Sequence, residues 1–230
     1  MKKYNMKQVF LLMGCMVVAN LLTTGCAHIQ KDNLALWNNR AVAKQALVNY
    51  METVTDPKSA DFIPVENRIA VFDLDGTLIL ETDPTYFDWA LFEHRVLDDS
   101  TYNPTKEQFS AAKKSREEGI FPPLDSNREK MVAQAYKGLS VSEFYDFVRG
   151  FMKEDQPGFV GMKRGDIFYK PMLEVVKYLV KNKFTVYICS GTDRLTVRPL
   201  VEQNMPYIPN SQILGSDSTL LARNQESKDG

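Results

Sequence analysis

The hydrophobic positions of this chain change period along its length, and the changes mark its elements. Ile69, Ala70, Val71 and Phe72 form a short continuous apolar run, the pattern of a strand buried in a parallel sheet, and Gly76-Thr77 supplies a turn beyond it. Phe184 to Cys189 is a second run, β-branched, aromatic and apolar, ending at Ser190-Gly191. Residues 212–215 read as a third, shorter strand. Roughly 110 residues separate the first two, far more than one βαβ crossover requires. Within that interval, residues 86–97, 106–118, 127–137 and 141–153 carry apolar side chains at helical spacing, with Gly and Pro between them. Tyr86, Phe87, Trp89 and Phe92 are spaced for one helix face and read as the core of this helical insertion. Residues 166–183 lead back to the sheet. Pro171 suits a first helical position there, and Met172, Val175, Val176, Leu179 and Val180 form a stripe that should cover the strands. Arg194 to Asn204 reads as a helix capped by Asp193, with Pro199 interrupting its pattern. Upstream, residues 33–55 read as an amphipathic helix with Leu34, Trp37, Ala41, Val48 and Met51 toward protein.

The first strand runs directly into two acids, Asp73 and Asp75, at its carboxyl end, where open α/β sheets bind their ligands. An aspartate so placed can act as a nucleophile and form an acyl phosphate, while a second, two residues on, gives and takes the proton. The i, i+2 spacing starts both side chains on one side of the strand, with Leu74 on the other. Two carboxylates this close repel, so the pair calls for a hard divalent cation with oxygen ligands, most simply Mg²⁺. An Asp-rich turn that merely caps a strand is the competing reading. At the end of the second strand, Ser190 and Gly191 precede a helix start, which aims a hydroxyl and backbone N–H groups at an anion.

Asp73-Leu-Asp75-Gly76-Thr77 after an apolar strand resembles the first motif of the haloacid dehalogenase-type hydrolases, most of which are Mg²⁺-dependent phosphatases. With Ser190-Gly191 in order behind it, the resemblance extends to the phosphoserine phosphatase-like subgroup. It implies a Rossmann-like parallel sheet with a helical cap inserted after the first strand. It also implies Asp73 as nucleophile and metal ligand, and Asp75 as general acid/base whose backbone carbonyl touches the metal. Ser190 would then hydrogen-bond the transferring phosphoryl group. Asp75 argues against the dehalogenase branch, which lacks an acid there.

The resemblance covers roughly Arg68 onward and departs from the family at its end. A third-motif lysine and the fourth-motif aspartates have no counterpart in the forty residues after Ser190. Asp217 reads as a turn residue and Lys228 lies in a polar tail. The chain therefore reads as the front part of a longer protein whose later core strands are missing. On that reading Ile69–Phe72 keeps an unpaired edge and exposes apolar surface, and the isolated chain is marginally stable and weakly active or inactive.

The N-terminus adds an address. Lys2, Lys3 and Lys7 precede an apolar stretch from Val9 to Leu22, the layout of a secretory signal peptide. Leu22-Thr-Thr-Gly25-Cys26 resembles a bacterial lipobox, with Thr23 where an aliphatic residue is usual, so Cys26 is the expected lipid attachment site and the cell envelope the expected location. An uncleaved transmembrane anchor is the alternative, although the run falls below the roughly 20 residues a span needs. Cys15 lies in the leader and Cys189 is left alone, so no disulfide is available and Cys189 reads as a buried packing thiol. Removing the leader takes three lysines and no acids from a chain of net charge -1, which disfavours nonspecific nucleic-acid binding. The expected organisation is a signal peptide over 1–25, a helical tether over 26–60, a core over 61–80 and 166–230, and a cap over 81–165. Glu81, Asp83 and Asp88 read as solvent-facing acids, and Lys163-Arg164 as a solvated basic turn. Three functions stay open: a phosphomonoesterase for a small phosphorylated metabolite, a non-catalytic binding lipoprotein, and a phosphomutase or phosphotransferase.

Overall fold

The computed structural model describes residues 34–81 and 85–222. The leader, the candidate lipid site Cys26, Asp83 and the tail from 223 lie outside them. The expected parallel α/β architecture is present. Strands β1 (Ile69–Phe72), β2 (Thr185–Asp193) and β3 (Ile213–Ser216) form a parallel sheet in the order β1-β2-β3. Ile69 lies opposite Thr185 and Phe72 opposite Ile188, which in turn faces Ile213. One face of the sheet, carrying Val186, Ile188 and Ile213 with Ala70 and Phe72, turns into the main hydrophobic core.

The other face is open among the described residues, which corrects two expectations. Ile69 (58% exposed), Val71 (63%) and Leu214 (47%) all look outward, so β1 is buried on one face only. Cys189 shares that face and is exposed, not a packing thiol. The cause is the same for all four: side chains alternate along a strand, and no described helix covers this side. β1 is also an edge strand, paired on the β2 side alone among the described residues.

Helix α1 (Val42–Thr55) is shorter than the helix expected over 33–55. The Asn38-Asn39 pair diverts the chain before it. Arg40 N donates to Asn38 Oδ1, Ala41 N to the Asn38 carbonyl, and Lys44 Nζ to Asn39 Oδ1. Such local side-chain bonds offer the backbone an alternative to helix. Leu34, Trp37 and Met51 do face protein as expected, with Trp37 Nε1 donating to the Pro171 carbonyl at 2.9 Å.

Between β1 and the helix that leads into β2, four α-helices among the described residues fall at nearly the anticipated positions: α2 (Phe87–Leu97), α3 (Lys106–Glu118), α4 (Ser126–Ala135) and α5 (Val141–Phe151). The starts of α3, α4 and α5 are set by sequence chemistry. Thr105 with Gln108, and Ser140 with Glu143, form reciprocal capping boxes, and Asp125 accepts from Asn127 N and Arg128 N. Trp89, Phe92, Val96, Ala112, Met131 and Ala135 make a second core within this layer. Phe87 departs from the expected cap face and packs instead into the main core. Helix α6 (Lys170–Lys181) lays Val175, Val176 and Leu179 on that core, and α7 (Arg194–Asn204) follows β2, running unbroken through Pro199.

Candidate active site

The turn after β1 is built around one buried carbonyl. Leu74 is fully buried, and its oxygen accepts the N–H groups of Thr77, Leu78 and Ile79 at 3.2, 2.8 and 3.0 Å. Gly76 closes the loop at φ +69°, its N–H donating to the Ile79 carbonyl. Glycine suits it because this left-handed φ strains any residue with a Cβ. Leu80 N to Ile167 O and Tyr169 N to Leu78 O then tie the turn to the start of α6. A carboxylate pair on so braced a loop is held rather than waving. Asp73 projects exposed, while Asp75 is half-buried.

β2 meets it with a deformation. Pairing with β3 slips between Cys189 and Asp193, so Ser190, Gly191 and Thr192 form a bulge in the strand. Ser190 Oγ reaches Asp75 Oδ2 at 3.3 Å and Thr192 Oγ1 donates to the same oxygen at 2.9 Å. Thr192 N donates to Ser190 Oγ at 3.1 Å. The second oxygen of Asp75, Oδ1, is buried with no hydrogen-bond partner among the described residues. Burial pushes the Asp75 carboxyl above its ordinary range; the Thr192 and Ser190 hydroxyls pull it down, and the charges of Asp73 and Glu81 push it up again. The structure thus brings Asp73, Asp75 and Ser190 together, with Gly191 in the same bulge. Gly191 sits in open space and its carbonyl accepts from Ser216 Oγ, so no steric need dictates glycine there.

The helical layer also sends charge toward this end of the sheet. Asp88, in the first turn of α2, is half-buried rather than solvent-facing. Burial raises its pKa, Arg128 opposes, the Trp89 N–H bonds its Oδ1, and Asp75 and Asp193 raise it further. Arg128 of α4 stacks its guanidinium 4.3 Å over the Trp89 ring, and desolvation lowers its own pKa. Glu81 is exposed and accepts the Tyr86 hydroxyl. Of the expected solvated basic turn, Lys163 is exposed and pairs with Asp155 at the surface, whereas Arg164 is half-buried and packs over Phe151 at 4.4 Å. Asp217 is no turn residue either, since β3 extends through Ser216 and delivers it directly at a strand's carboxyl end. Arg194 holds it there at 2.6 Å. Thr192 and Arg128 escaped sequence reading because a threonine in a strand and an arginine in a helix carry no local signal of a site.

Among the described residues no group of three His, Cys, Asp or Glu gathers to hold a metal. The donor chemistry still fits a hard ion, because Mg²⁺ is commonly bound by one or two carboxylates plus substrate phosphate and water. An exposed acid able to attack, beside a half-buried acid able to carry a proton, at the carboxyl end of a parallel sheet, is the layout of an α/β hydrolytic site. The chain belongs to the haloacid dehalogenase-like hydrolases, whose family model matches residues 70–222. No curated protein matches the sequence. Among solved structures it is similar to a phosphoserine phosphohydrolase-like protein from Francisella tularensis, at 16% identity and TM-score 0.39, covering 70% of this chain and 63% of that one. It is also similar to a conserved functionally unknown protein from Anaerococcus prevotii, at 16% identity and TM-score 0.43, covering 75% of this chain and 67% of that one. The chain therefore spans somewhat under two thirds of the Francisella protein's length.

Proposed function

We propose that the chain carries the nucleophile and the acid/base of an Mg²⁺-dependent phosphomonoesterase acting on a small phosphorylated metabolite. The observation that supports this best is the asymmetry of the acid pair. Asp73 is exposed, whereas Asp75 has one oxygen pinned by two hydroxyls, the other left bare, and a raised pKa. A carboxylate oxygen of Asp73 attacks phosphorus and the bond to the leaving oxygen breaks, while Asp75 gives its proton to that oxygen. Asp75, now ionised, takes a proton from water as the water oxygen attacks the acyl phosphate. The Asp73 carboxylate and inorganic phosphate are released, and Asp75 is again protonated. Ser190 donates to a phosphoryl oxygen from β2. Asp73 and the Asp75 backbone carbonyl would hold Mg²⁺, whose charge would offset the repulsion between these acids and the phosphate.

The test is phosphorylation of the protein itself. With p-nitrophenyl phosphate and Mg²⁺, the wild-type chain should release nitrophenol in at least a single-turnover burst that Asp73→Asn abolishes. Equal release from both proteins refutes the assignment. The same proposal places the protein in the cell envelope by a lipid on Cys26. No helix among the described residues is long and apolar enough to cross a membrane. The intact mass of the mature protein decides the anchor: residues 26–230 plus a lipid support it, and an unmodified or full-length mass overturns it.

A further inference from the structure

The two hydroxyls that converge on Asp75 Oδ2 are not equivalent. In a regular strand the same-face positions 190 and 192 stand about 6.6 Å apart, awkward for two short side chains to reach one oxygen. The bulge between Cys189 and Asp193 brings them in. Ser190 is the looser partner at 3.3 Å, long for an O–H···O bond, and its oxygen already accepts the Thr192 N–H. Its single proton is held only by that long contact to Asp75 and can turn toward a phosphoryl oxygen. Thr192 is 8% exposed and donates at 2.9 Å. Its backbone is fixed from behind, since β3 passes so close that a Cβ on Gly215 would lie 2.6 Å from the Thr192 carbonyl.

We propose that Thr192 is a positioning residue for Asp75. It fixes the carboxyl through Oδ2, and it keeps that lock when Ser190 turns its hydrogen bond to bound phosphate. The inference rests on the reading of Asp75 as proton carrier, but its test separates the two. Thr192→Val keeps the shape and removes the hydroxyl; Thr192→Ser keeps the hydroxyl and removes the methyl. Three-bond scalar couplings report the χ1 rotamers of Asp75 without any turnover. Wild type and Thr192→Ser should hold one rotamer, and Thr192→Val should average over more. In p-nitrophenyl phosphate hydrolysis with Mg²⁺, Thr192→Val should lower kcat about tenfold or more with KM within about twofold, a part of what a well-placed acid contributes. Thr192→Ser should restore it. Thr192→Ala replaces the valine where its extra methyl is not accommodated. A single Asp75 rotamer in the hydroxyl-free variant overturns the proposal, as does equal loss in the serine variant, which would assign the effect to packing. Absence of turnover in wild type with averaging in Thr192→Val sustains the positioning role and removes the catalytic reading.

Discussion

Replacing Gly215 by alanine adds one methyl group where β3 leans on the bulge of β2, and the structure allows its cost to be bounded. The new Cβ would lie 2.6 Å from the Thr192 carbonyl oxygen, 2.8 Å from Arg194 N and 2.9 Å from Arg194 Cα. All three are backbone atoms, so no flexible side chain can swing aside. The tightest contact falls about 0.4 to 0.8 Å short of a tolerable 3.0–3.4 Å, and β2 or β3 must move by that much. Overpacking of this kind costs about 1–3 kcal/mol. With a urea m-value of about 3 kcal/mol/M, the unfolding midpoint should fall by roughly 0.3–1 M, read by circular dichroism. Gly150 is the paired control, because a Cβ there meets nothing within 4 Å and its position in α5 favours alanine. Gly150→Ala should raise stability by about 0.5–1 kcal/mol. Should Gly215→Ala stay within about 0.5 kcal/mol of wild type, or should both variants move the same way, the close approach of β3 does not brace the site.

Two further outcomes follow from the sheet and the acids. Val71 faces outward on an edge strand, so Val71→Lys should change stability by no more than about 0.5 kcal/mol and reduce aggregation measured by light scattering; a loss above about 2 kcal/mol would mean that this face is packed. Asp88 titrates above its ordinary 3.8 in the folded chain, chiefly through burial, so the native state holds that proton more tightly than the unfolded state. The associated stability is complete below pH 3.8 and is lost as pH rises through the raised value. Asp88→Asn should therefore flatten the decline of Tm across that window, and parallel profiles for the two proteins would refute the assignment.

What a linear reading could reach was set by how local the determinants are. β1 declared itself through four adjacent apolar residues, and Asp73 and Asp75 followed because the turn at Gly76 lies within the same ten residues. Helices α2 to α5 were legible through their apolar spacing, and three of them also through caps, Thr105, Asp125 and Ser140, that are short-range chemistry. Thr192 was not, since its role exists only once the bulge folds β2 against Asp75. Cys189 and Asp88 were misjudged in opposite senses for one reason: burial belongs to whatever packs against a residue, and neither neighbour is nearby in the chain. The beginning of α1 was misplaced because Asn38 and Asn39 interrupt an otherwise helical pattern with side-chain bonds of their own.

The bonds from Ser190 and Thr192 to Asp75 span 115 and 117 positions of chain. Closing a flexible loop of that length costs about 4 kcal/mol in chain entropy before any contact repays it. Pairing of β1 with β2 is therefore a late and slow event, unless the loop is shortened first. Helices α2 to α4 can do this, because the core they share around Trp89 and Phe92 and the caps of α3 and α4 depend on near neighbours. The helical layer is thus placed to act as a folding scaffold that draws the ends of two distant strands together, so weakening its core around Trp89 and Phe92 should slow the pairing of β1 with β2.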